Sequence, residues 1–159
     1  MTGTPDKKAL RQRLLTILVA ETQQVNEFVA TLEQERQILS GRDVEPLYPL
    51  SEQKSRQARQ LQQLADSRSA VLAQAGLPHD KAGIESLIGS EGTQIWHTYL
   101  AAATRARQLN QENGTHITER LAQNHQALAV LLAHSDQPTV YGPDGSSRTR
   151  PGSRLLGSY

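Results

Sequence analysis

The strongest constraint on this chain is a set of apolar side chains near its start: Leu14, Leu18, Val25, Phe28, Leu32 and Leu39. Their spacing alternates between four and three residues or sums to seven, which lays one apolar stripe along an α-helix in the manner of a coiled-coil seam. Glu21 and Glu35 occupy the seam positions that the apolar residues leave open. An interrupted seam of this kind argues against a very stable, permanent coiled coil. The helix is expected to start near Pro5, with Thr4 as its cap and proline at the first helical position, and to stop at Ser40-Gly41.

Pro46 and Pro49 argue against helix across 42–49, so a second helix is expected over about 50–75 with Ser51 as its cap. Its stripe runs through Lys54, Ala58, Leu61, Leu64 or Ala65, Arg68, Leu72 and Ala75. Lysine and arginine stand where leucine is expected, and their stems can cover a seam while the charged heads stay wet. Across an antiparallel pair, Glu21 or Glu35 can face them. Gly76-Leu77-Pro78 ends this helix, and a short one is expected over about 81–88. The most regular stretch follows, with small or apolar residues at Ile95, Tyr99, Ala102, Ala106, Leu109, Ile117, Leu121, Leu128 and Leu131. The phase carries through Gly114, which predicts one helix over about 92–134, on the order of 60 Å long, with a soft point costing roughly 1 kcal/mol. The alternative is a stop at Asn113-Gly114.

Hydrophobic residues make up 36% of the 159 residues and aromatics 4%, thin for a deep globular core but adequate where each helix buries one stripe. The predicted fold is all-α: an elongated antiparallel helical hairpin or bundle of three to four helices with coiled-coil-like packing. Residues 1–134 are expected to form this helical domain. Residues 135–159, rich in proline, glycine and serine and basic through Arg148, Arg150 and Arg154, are expected to be a disordered, flexible tail.

Several function classes have no support. The formal net charge of +1 gives no electrostatic footprint for nucleic acid and no polybasic membrane anchor. The apolar runs Leu14–Ala20 and Ala127–Ala133 are too short for a membrane span, and nothing at the start reads as a signal peptide, so a cytoplasmic location without membrane insertion is expected. There is no cysteine. His79, His97, His116, His125 and His134 lack metal-ligand spacing, and no phosphate-binding or calcium loop is present. Asn113-Gly114-Thr115 matches a glycosylation acceptor only formally. The carboxylate pairs Glu33 with Glu35 and Asp136 with Asp144 read as solvated charge, because a general acid needs burial or a like charge to shift its pKa. No catalytic residue, metal or cofactor is expected, and the chain is not expected to be an enzyme.

Two features stand above this background. Asn110, Asn113 and Asn124 lie on or beside the apolar face of the last helix. They either stay wet at its edge or bind the backbone or polar side chains of a partner helix. Tyr141 lies in the run Gln137-Pro138-Thr139-Val140-Tyr141-Gly142-Pro143-Asp144-Gly145, where Pro143-Asp144-Gly145 is a turn signal.

The stretches Leu109-Asn110-Gln111-Glu112-Asn113-Gly114, Asn124-His125-Gln126-Ala127-Leu128 and Pro138-Thr139-Val140-Tyr141-Gly142-Pro143-Asp144-Gly145 resemble the C-terminal half of the FlgN family of flagellar type III export chaperones. Trp96 fits the aromatic expected at the start of that helix. The resemblance is strongest over about 95–147; the N-terminal half matches in helical pattern and in its Leu39-Ser40-Gly41 stop. It implies binding of the C-terminal segments of the hook-associated junction proteins FlgK and FlgL, protection from premature assembly, and delivery to the export gate protein FlhA. By the same resemblance, Ile117, Leu121, Asn124, Leu128, Leu131 and Leu132 would bind the substrate proteins, and Tyr141 with Gly142 would dock on the gate. No role carries over to the Arg-rich residues after Ser147. The competing reading is a structural coiled-coil scaffold or adaptor that self-associates; a weak homo-oligomer is compatible with either.

Overall fold

The computed structural model describes residues 5–133, 139–141 and 147–149. Its first compact unit, up to Asn113, contains α1 (Lys7–Ser40), α2 (Leu47–Gln74), α3 (Lys81–Ile88), a single 3-10 turn (Ser90–Gly92) and the first half of α4 (Thr93–Ala133). The all-α class expected from the seam is what the structure shows.

The helix ends have local causes. α1 is capped by Asp6, whose carboxylate accepts the Lys8 N–H at 3.0 Å. The cap therefore lies two residues beyond Thr4, which is outside the described residues. α2 starts at Leu47, earlier than the expected Ser51 cap, and Pro49 lies inside its first turn. The first four N–H groups of a helix have no intrahelical acceptor, so a proline there loses no hydrogen bond. α2 ends in a Schellman turn: Leu77 N–H donates to Leu72 O at 2.9 Å and Gly76 N–H to Ala73 O at 3.0 Å, with Gly76 at φ +68. That left-handed conformation favours glycine. α3 is capped by Asp80, which accepts the Gly83 N–H at 2.9 Å. Arg11 Nε donates to the Leu87 carbonyl at 2.8 Å and so ties the end of α3 to α1.

Two apolar clusters hold this unit together. One gathers Leu10, Leu14 and Leu18 of α1, Val71 and Leu72 of α2, Ile84, Leu87 and Ile88 of α3, and Trp96 of α4. The other joins Val25 and Leu32 of α1 to Ala106 and Leu109 of α4, with Phe28, Leu61 and Tyr99 packed against it. Between and beyond them lie two charged layers. In the first, Arg68 Nη1 is 2.6 Å from Glu21 Oε1 and 3.1 Å from the Tyr99 hydroxyl. In the second, Lys54 Nζ is 2.9 Å from Glu35 Oε2, and Asn113 Nδ2 donates to Glu35 Oε1 at 2.9 Å and to the Leu32 carbonyl at 2.8 Å. Both glutamates are buried, at 2% and 5% exposure, and Asn113 is fully buried. These pairings make α2 antiparallel to α1 and α4 parallel to it. The two gaps in the α1 seam and the two cations in the α2 seam are thus the same feature seen from both sides.

Burial pushes the Glu21 carboxyl above its ordinary pKa of 4.5, against the opposing pull of the Arg68 charge and hydrogen bond. Glu21 Oε2 is buried without a hydrogen-bond partner, which leaves the ionised form incompletely solvated.

α4 continues through Gly114, where the Thr118 hydroxyl donates to the glycine carbonyl at 3.0 Å. The second unit starts at this glycine and comprises the rest of α4 and two strands, β1 (Thr139–Tyr141) and β2 (Ser147–Thr149). The strands pair antiparallel with Thr139 opposite Thr149, Val140 opposite Arg148 and Tyr141 opposite Ser147. The rest of the segment expected as a flexible tail, including Gly142 and the Pro143-Asp144-Gly145 turn, lies outside the described residues.

A Cβ on Gly114 would meet nothing, whereas one on Gly92 would lie 2.6 Å from Ile88 Cβ and 2.7 Å from Leu15 Cδ2. Gly114→Ala is expected to stabilise the chain by about 0.5–1 kcal/mol through helix propensity, and Gly92→Ala to destabilise it by about 1–3 kcal/mol through overpacking, both read by urea unfolding. For Glu21, the folded-state pKa lies above the unfolded one. The folded chain therefore holds that proton more tightly, and stability from this site falls as pH rises through the raised pKa. As pH falls from neutral towards 4.5, wild type is expected to gain stability relative to Glu21→Gln; a relative loss over that window would contradict the assignment.

Candidate functional site

The residues expected to bind a partner lie on α4 after Gly114. At 100° per residue, Ile117, Leu121, Asn124, Leu128, Leu131 and Leu132 fall within a stripe about 100° wide, the width of a buried face on an ordinary amphipathic helix. Yet much of this stripe faces solvent. Ile117 is 36% exposed, Leu121 55% and Leu131 69%; Leu128 and Leu132 are half-buried, and Asn124 is exposed. A leucine leaves roughly 1.5–3 kcal/mol of burial energy unrealised when it stays in water. Several on one stripe make a surface that favours covering, and a helix with a complementary seam is the natural cover.

No charged side chain falls within the stripe itself, although Arg120 flanks its edge. The His116–Glu119 contact, 4.0 Å long, lies at the N-terminal end and is solvent-exposed on both sides. Asn124, with two donors and an acceptor, stands between Leu121 and Leu128. It can exchange water for a partner's polar group without leaving a buried charge behind.

The three asparagines separate into different roles. Asn113 was open to two readings, a wet edge or a partner contact, and the structure corrects both: its amide is spent inside the bundle on Leu32 and Glu35. Asn110 lies at the surface, 3.5 Å from Lys54 Nζ. Only Asn124 remains exposed on the stripe. Tyr141 lies in β1, and its backbone pairs with Ser147; Gly142, expected to share its role, is outside the described residues.

Sequence reasoning missed a second concave surface. A groove of about 600 Å³ runs between α1 and the first turns of α4, with Val19, Ala30 and Ile95 as apolar lining and Thr22, Gln23, Asn26, Glu27, Gln94 and Thr98 as polar lining. The only signal in the sequence is Val19, an apolar residue off the α1 seam.

Among the described residues, no group of three or more histidine, cysteine, aspartate or glutamate side chains could hold a metal ion. Nor is any described helix long and apolar enough to cross a membrane. The two charged layers are intramolecular braces: each cation is engaged by a carboxylate within the bundle.

The chain is 28% identical over 148 residues to the flagella synthesis protein FlgN of Yersinia enterocolitica, an alignment covering 92% of this chain and 95% of that protein. No solved structure matches. The family described as FlgN protein matches residues 1–149, which includes all four helices and both strands. The chain belongs to the FlgN family.

Proposed function

We propose that this chain is a cytoplasmic chaperone for the C-terminal segments of the hook-associated proteins FlgK and FlgL. On this reading it binds them through the exposed stripe of α4, prevents premature assembly and delivers them to the export gate protein FlhA. Family membership supports a flagellar export chaperone role in general. The observation that carries the finer reading is the run of exposed Ile117, Leu121 and Leu131 around Asn124 on one helix face.

The physics of the stripe suits a temporary partner. Residues 117–132 span about 24 Å of helix, enough for roughly four turns of a docked helix. Apolar residues supply the binding energy, and the asparagine within the stripe lowers the affinity that an unbroken leucine seam would give while fixing the alignment of whatever docks. Cargo that must later enter an export channel needs release as well as shelter. Tyr141, in β1, is assigned to gate docking on the family resemblance of the segment that carries it. On this reading the chain's work is binding.

The test is a calorimetric titration of the full chain with peptides from the C-termini of FlgK and FlgL of the same cell, beside an unrelated coiled-coil peptide. Saturable binding of the junction peptides alone is expected. Leu121→Asp and Leu131→Asp are expected to weaken it at least tenfold while circular dichroism stays unchanged, because both side chains already face solvent. Tyr141→Ala is expected to leave peptide binding intact and to reduce binding to the cytoplasmic domain of FlhA. Equal binding of the control peptide would overturn the assignment. Concentration-dependent self-association of the chain, abolished by the same leucine substitutions and accompanied by no peptide binding, would favour the scaffold reading instead.

A further inference from the structure

The polar contacts of the bundle repeat with a period the apolar pattern does not require. Glu21 and Glu35 are fourteen residues apart on α1, Arg68 and Lys54 fourteen apart on α2, and Tyr99 and Asn113 fourteen apart on α4. Midway between the two layers, seven residues from each, stand Phe28, Leu61 and Ala106, which pack in one apolar cluster. The three helices therefore share a stack two heptads long: charged, apolar, charged.

We propose that this stack is a register key, which excludes every heptad-shifted alignment of α1 with α2 that the leucine seam alone would allow. The seam repeats every seven residues, so sliding α2 by one heptad returns apolar residues to apolar positions. The charges do not survive the slide. In the observed alignment the numbers of facing residues on α1 and α2 add to a constant, pairing Glu21 with Arg68, Phe28 with Leu61 and Glu35 with Lys54. A slide of one heptad in one direction faces Glu21 with Leu61 and Glu35 with Leu47; in the other direction it faces Glu21 with Ala75 and Glu35 with Leu61. Either slide buries two carboxylates against apolar side chains, and an unpaired buried charge is strongly disfavoured. A slide of two heptads re-forms one pair only, Glu21 with Lys54 or Glu35 with Arg68, and carries the other glutamate past the matching end of α2.

α4 follows the same rule. Its residue numbers exceed those of the α1 residues in each layer by a constant, and a one-heptad slide in either direction brings Ala106 to one of the two charged layers. Tyr99 then no longer reaches Arg68, nor Asn113 the Leu32 carbonyl. The cost of the key is stability, since well-packed apolar residues in the same places are often neutral or stabilising. Its return is a single alignment.

The chain has no cysteine, so a pair of nitroxide labels can be attached at Gln34→Cys on α1 and Ala70→Cys on α2, both exposed positions. Distances are then read by double electron–electron resonance. With native layers a single distance population is expected. In a variant carrying Glu21→Leu, Glu35→Leu, Lys54→Leu and Arg68→Leu, helix content is expected to persist while a second population appears, displaced by about 10 Å for each heptad of slip. A single unshifted distance in that folded variant would overturn the proposal. A second pair of variants decides the matter even if four leucines prevent folding. Glu21→Arg alone is expected to broaden or shift the distribution, and Glu21→Arg with Arg68→Glu to restore the native peak. An unchanged peak in the single variant, or no restoration in the double, would overturn the proposal equally.

Discussion

Everything else in the bundle depends on two carboxylates that have been taken out of water on α1. Glu21 and Glu35 sit in a seam that otherwise holds leucine, valine and phenylalanine, and each is acceptable there only because a cation from α2 reaches it. Coulomb attraction in a poorly hydrated interior offsets the loss of hydration, but only at short range and with further hydrogen bonds. Those come from α4, through the Tyr99 hydroxyl beside Arg68 and the Asn113 amide on Glu35. One requirement, that buried charge be matched, therefore sets the direction and alignment of three helices at once. The leucines supply the driving force around it, and α3 closes one end by burying Ile84, Leu87 and Ile88 against α1 and α2.

A contrast in burial separates the two halves of α4. Up to Asn113 its inward positions, Trp96, Ala106, Leu109 and the Asn113 amide, are packed against neighbours that are already present. Beyond Gly114 the apolar period continues, but Leu121 and Leu131 face solvent. The same 3.6-residue period thus serves intramolecular packing in one half and, on the proposed reading, an external helix in the other. An apolar stripe broken by an asparagine suits an export chaperone, whose bound segment has to leave.

Much of this was legible in the sequence because the period of apolar residues is a local property. The four helices, the stop at Gly41 and the passage of α4 through Gly114 all follow from phase, caps and breakers. Even the match between the glutamates of α1 and the cations of α2 could be anticipated, since a charge in a seam needs a partner. Asn113 could not be read the same way: whether an amide on an apolar stripe turns to solvent, to a partner or to a backbone carbonyl of its own fold depends on a helix eighty residues away in sequence. Pro49 misled for a simpler reason, in that a proline's meaning changes with its distance from a helix start that had been placed too late. The groove beside Val19 left almost no trace, because its apolar surface comes largely from the stems of polar residues and its shape arises only when two helices lie side by side.

The most direct test of the functional account is amide hydrogen exchange on the full chain, with and without a saturating FlgK C-terminal peptide. The account predicts new protection confined to α4 between Ile117 and Leu132, with exchange in α1 and α2 unchanged because their seams already face each other inside the bundle. Protection appearing instead along Val19–Ala30 and Gln94–Thr98, or nowhere in the chain, would contradict it.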